Sequence, residues 1–189
     1  MEFGHIVLSR GFTSWTSKYI AKFTDSYFSH SFLTAPPMCD RLMAIEATEG
    51  GVSAIPFDSG YETNSDEDFI MWELKLPEEV KKAAISKLLD DLERGYGFLE
   101  YPWLMWRWIC GKFGRDIKKQ KNWSDAGIVC SELVVMYLTY CGLGYLFEDF
   151  GGEASVVPQD LYKIIYAHPE LFVEVKRKIR SPDDKRLIA

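Results

Sequence analysis

The first third of the chain alternates between short apolar runs and turn signals. Residues 3–9 (F-G-H-I-V-L-S) read as a short buried strand. Gly11 to Phe23 read as a turn followed by an amphipathic helix, with Trp15, Tyr19, Ile20 and Phe23 on one side and Lys18 and Lys22 on the other. Residues 27–34 (Y-F-S-H-S-F-L-T) alternate and are rich in aromatics, which predicts a strand. In that strand Phe28, His30 and Phe32 share one face, and Ala35-Pro36-Pro37 end it and begin a loop. Residues 41–47 (R-L-M-A-I-E-A) predict another strand, with Glu46 its odd polar member. Gly50-Gly51 turn the chain into residues 52–57, an edge strand because Pro56 has no N–H to donate. An acidic surface loop is expected over 58–68, and a further strand over 69–76.

The second half is more helical. Pro77-Glu78-Glu79 open a helix that runs to about Arg94, with Gly95 as its stop. Residues 101–114 (Y-P-W-L-M-W-R-W-I-C-G-K-F-G) form an aromatic segment. It is too short to span a bilayer and suits burial, a partner surface or a membrane surface. Arg115 to Lys121 form a basic solvated stretch. A buried helix is expected from Cys130 to Tyr140, ended by Gly142 and Gly144, then a loop over 147–152. A short helix over 159–167, a last strand over 171–179 and a polar tail over 181–189 complete the chain. Strands, helices and strands in that order, without repeat or linker, predict one α+β domain over 1–189, an antiparallel sheet packed against helices.

Composition narrows the function. The hydrophobic content of 47% suits a packed core, and a formal charge of −6 argues against a general nucleic-acid binder. Cys39, Cys110, Cys130 and Cys141 are irregularly spaced and far from His5, His30 and His168, so neither a zinc site nor a disulfide framework is expected, and no cofactor is implied. Met1 leads directly into an apolar run with no basic segment before it, so no signal peptide is expected. No run approaches the roughly 18–20 apolar residues of a spanning helix. The expectation is a cytoplasmic chain as made, or one carried by a virion.

The candidate chemistry centres on residues 122–140. Ser124, Asp125 and Gly127 are polar turn formers, the following residues are apolar, and Cys130 stands at the junction. A helix N-terminus leaves N–H groups unpaired at the positive end of the dipole, where a cysteine ionises more easily. Cys130 is therefore a candidate nucleophile; the alternative is a small buried core residue. A thiolate needs a base, and the base needs an orienting acceptor. His30 lies on an apolar strand face, and antiparallel pairing can bring Glu46 beside it, so that each removes the other's cost of burial. The alternatives are a core histidine bonded to backbone and a carboxylate at a strand edge facing water.

Residues 4–10 (G-H-I-V-L-S-R), 27–33, 44–52, 95–98 (G-Y-G-F), 129–134 (V-C-S-E-L-V) and 157–161 (V-P-Q-D-L) resemble the motifs of the circularly permuted papain-like hydrolases, in particular the YiiX-like branch of the NlpC superfamily. In that family the histidine and the third polar residue precede the cysteine. The resemblance implies a permuted papain-like fold, with Cys130 as nucleophile, His30 as base and then acid, and Glu46 as orienter. It also implies Tyr96 near the oxyanion or substrate, and the Cys130 N–H as an oxyanion donor. Where the family has Gly-Asp, this chain has Gly4-His5, and His5 is expected at the surface. The implied activity is a cysteine hydrolase cleaving an amide through a thioester, with peptidoglycan stem peptides as the first substrate class. The alternatives are a lipid amidase or acyltransferase, a hydrolase of a soluble amide, and a non-catalytic part of a phage tail or other assembly contacting its partner through 101–114.

Overall fold

Strand β1 (Ile6–Gly11) opens with three consecutive apolar residues because both of its faces are covered. The computed structural model describes residues 3–23, 25–48, 51–90, 130–150, 156–181 and 183–187. Helix α1 (Trp15–Phe23), strands β2 (His30–Met38), β3 (Arg41–Thr48), β4 (Gly51–Pro56) and β5 (Glu67–Leu74), and helix α2 (Glu78–Asp90) follow β1. Then come α3 (Cys130–Leu138), α4 (Pro158–Ala167) and β6 (Phe172–Lys178). The fold is α+β. Six strands form one antiparallel sheet in the order β4-β3-β2-β1-β5-β6.

Period-two alternation sorts the sheet's side chains to two cores. Ile6, Leu8, Leu33, Ile45, Ile70 and Trp72 join the larger core with α2, α3 and α4. Val7, Phe32, Ala44, Phe69 and Met71 join Phe57 and Tyr61 in a smaller cluster on the other face. Every residue of α3 is buried, as expected of a helix apolar on all sides. The helical stretch Cys130–Phe150, 21 residues with a mean hydropathy of 1.3, has the length and composition of a spanning helix, contrary to the sequence expectation. Of its most apolar window, 61% is buried inside the protein. The stretch is also broken at Gly142, whose φ of 84° an L side chain resists.

Several elements depart from the sequence reading. The Ala35-Pro36-Pro37 segment does not end β2; the strand continues to Met38 through a register shift, where a missing N–H costs no ladder bond. Cys39 and Asp40, with φ of 50° and 61°, then make a two-residue turn between the paired Met38 and Arg41. Phe28 precedes β2 and packs in the larger core against Tyr27 and Tyr162, not beside His30. In α1, Ser17 bonds Gly11 and Ser29, so the face carrying Ser17 and Ala21 turns inward. Trp15 and Tyr19 therefore stand outside, 75% and 45% exposed.

The supposed acidic loop contains a π-helical turn (Asp58–Glu62) and the start of β5. Asp68 within it is fully buried, accepting from the Tyr27 hydroxyl (2.6 Å) and the Arg180 N–H (2.9 Å). Residues 144–150 form a 3-10 helix where a loop was expected from 147. His5 is buried, because its N–H bonds Thr34 Oγ1 of the neighbouring strand at 2.9 Å. The polar tail is docked: Leu187 is buried, and its carbonyl and that of Arg186 accept from Tyr162 (2.6 Å) and Gln159 (2.9 Å) of α4. The end of the α2 prediction at Arg94 and the aromatic segment 101–114 lie outside the described residues.

Candidate active site

His30 is the first residue of β2, paired with Ser9 of β1. Alternation places it on the same face as Phe32, and the rings stand 5.8 Å apart. Glu46 lies on the neighbouring strand β3, facing the same way. His30 Nε2 and Glu46 Oε2 are 3.1 Å apart, with side-chain exposures of 21% and 10%. Pairing satisfies two groups that are costly to bury alone.

Cys130 begins α3, which packs on β2 and β3 from the opposite face. Its sulfur comes to the start of β2, near enough to the His30 ring for each group to shift the other's pKa. With Nε2 at Glu46, the ring's second nitrogen, Nδ1, is the one left for the thiol. The main-chain N–H and hydroxyl of Ser31 also stand beside the sulfur. Cysteine, imidazole and carboxylate, predicted from three distant stretches of sequence, are thus linked in one row.

The electrostatics of the row follow from that contact. Burial works against the His30 charge, yet the bonds to Cys130 and Glu46 outweigh it and raise the pKa to about 10. Burial likewise opposes a Cys130 thiolate, and His30 and Ser31 overcome it, holding the thiol below its ordinary value. Glu46 is held below the usual carboxylate range against its burial by His30, and then by Tyr61. Both shifts run in the direction that favours a thiolate–imidazolium pair over the neutral pair.

No family model matches this chain, and no curated protein does. Three residues near the row were missed in the sequence. Tyr61 donates its hydroxyl to the same Glu46 oxygen that meets His30, while its ring stacks on Phe32 at 4.1 Å. Burial and the Glu46 charge raise its pKa, which keeps it a donor. The clue was Glu46 itself, since a buried carboxylate needs more than one donor. Ser31 points to the strand face opposite His30, and it is that face that meets the Cys130 helix. Glu67, at the start of β5, shares the His30 face. Tyr96 lies outside the described residues. Among the described residues, no three His, Cys, Asp or Glu side chains converge as a metal-ligand set.

Proposed function

We propose that the protein is a cysteine hydrolase with a permuted papain-like, NlpC-type arrangement, cleaving an amide bond through a thioester. The observation that carries this reading is the His30–Glu46 pair at 3.1 Å, with the Cys130 sulfur near enough to the same ring to shift its pKa. The thiolate attacks the substrate carbonyl carbon, forming a C–S bond and a tetrahedral oxyanion. The Cys130 N–H, at a helix N-terminus, is suited to donate to that oxyanion. Imidazolium His30 passes its proton to the departing nitrogen, leaving the thioester and a free amine. Neutral His30 then takes a proton from water; hydroxide adds to the thioester carbon, and collapse releases the acid and restores the ion pair. Glu46 keeps the ring aligned throughout, and Tyr61 keeps Glu46 in place. Peptidoglycan stem peptides are the first substrate class to test, and Tyr96 is assigned to the oxyanion or substrate on the motif resemblance alone.

The test begins without substrate. Iodoacetamide should modify Cys130 faster than Cys39, Cys110 or Cys141, which peptide mass spectrometry resolves. Cys141 is a useful reference, because burial pushes its thiol up to about 11. Cys130→Ala should then abolish release of peptides from purified sacculi. Uniformly slow labelling of all four thiols would sink the hydrolase reading and favour a non-catalytic assembly role.

A further inference from the structure

Glu46 is not the only carboxylate on the face that holds His30. The pairs Ser9↔His30 and Gly11↔Glu67 place Glu67 two strands away, one step toward the sheet end, on the face of Phe69 and Met71. Its carboxylate makes no hydrogen bond or ion pair among the described residues, whereas Glu46, Asp58 and Asp68 are all engaged. Lys178, the nearby cation on β6, is committed elsewhere: its Nζ donates to the carbonyls of Tyr61, Glu62 and Asn64 at 3.1, 3.2 and 2.5 Å.

The Glu67 carboxylate lies over the main chain of Gly11. A Cβ at Gly11 would stand 2.7 Å from Glu67 Oε1 and 3.4 Å from Ser17 Oγ, so the glycine makes room for the carboxylate to lie across β1. Ser17 Oγ accepts the Gly11 N–H at 3.2 Å and meets the hydroxyl of Ser29, the residue before His30. A half-buried carboxylate with the Ser17 hydroxyl near it therefore lies on the same sheet face as the candidate base. We propose that Glu67, with Ser17 beside it, is a specificity-determining subsite that receives a positively charged nitrogen of the substrate near the scissile bond. This rests on the hydrolase reading and specifies which substrates it would favour, those bearing an ammonium group close to the cleaved amide.

The charge of the subsite depends on pH. Burial pushes the Glu67 carboxyl up to about 7, with His30 and Lys178 pulling it down and Glu46 and Asp68 adding to the rise. Arg180 is occupied by Asp66 and Asp68. A carboxyl is charged above its pKa, so the preference for a cation is present at pH 8 and weakened at pH 6.

The test uses the full chain and two small reagents that form a mixed disulfide with a thiolate, releasing methanesulfinate: 2-aminoethyl methanethiosulfonate, a cation, and methyl methanethiosulfonate, which is uncharged. The readout is the ratio of their rates at Cys130. At pH 8, Glu67→Gln should lower that ratio roughly threefold to tenfold, the size expected of one unit charge several ångströms away in a partly screened site. The unsubstituted chain should show a fall in the same direction between pH 8 and pH 6, a reading that does not depend on how the variant folds. Prompt labelling with a ratio insensitive to both changes would overturn the subsite and leave the hydrolase reading intact. Failure of either reagent to select Cys130 would remove the hydrolase reading, and the subsite with it.

Discussion

At the scale of single residues, His30 decides the chemistry because its two nitrogens face groups of opposite need. Nε2 meets a carboxylate and the other side of the ring meets a thiol, so the protonated ring is favoured from both directions. A histidine whose folded pKa is raised keeps its proton, and the stability that goes with it, at pH below its unfolded value. That contribution is lost as pH rises through the folded value, here about 10. Turnover should accordingly persist into mildly alkaline solution and fall as pH approaches 10. Glu46→Gln removes one of the two charges that hold the proton, so the alkaline limb of kcat/KM should move down by about one pH unit or more. An alkaline limb that stays in place in the Gln variant would mean that Glu46 does not govern the ring.

At the scale of elements, α3 works as a positioning device. All nine of its residues are buried, so its place on β2 and β3 is set by packing along its whole length. The Tyr137 hydroxyl adds a bond to the Gly4 carbonyl at 3.1 Å, and the Ser131 hydroxyl adds one to the Val156 carbonyl at 2.5 Å. These contacts bring Cys130, at the helix start, to the start of β2. Leu133 is fully buried, and Leu133→Ala should cost about 3 kcal/mol in urea unfolding through the cavity it leaves. It should also slow Cys130 alkylation without touching the sulfur. Alkylation at the unsubstituted rate would show that the helix start is held by something other than its packing.

At the scale of the whole molecule, distant parts of the sequence close the structure around Asp68. Its carboxylate accepts from Tyr27, which precedes β2, and from the main chain at Arg180, which follows β6. The Arg180 guanidinium is 42% exposed and adds little by itself. Asp68→Ala should nevertheless cost about 2–3 kcal/mol, because it leaves a buried hydroxyl and an N–H without their acceptor. Urea unfolding followed by tryptophan fluorescence would measure this, and a loss below about 0.5 kcal/mol would mean that water replaces the carboxylate. The tail closes the same region, with Arg186 reaching the Ser26 carbonyl at 3.0 Å and Leu187 capping Tyr162.

How much of this was legible in the chain depended on the range of the forces involved. Local patterning located the six strands of the described sheet and helices α1 to α4, because alternation, helical spacing and proline or glycine breaks act over a few residues. It also singled out Cys130, His30 and Glu46, each a polar or reactive group in a setting where it is costly without a partner. It misjudged His5, Asp68, Phe28 and the outward face of α1, because burial there is imposed by elements far along the chain. Tyr61, Ser31 and Glu67 were missed for the same reason: nothing within their own segments marks them, and only the register of β1, β2, β3 and β5 and the seating of α3 bring them to the row. Which groups needed partners could be read from their neighbours along the chain; which partners they met was fixed by long-range packing, because that is what sets the distances between segments.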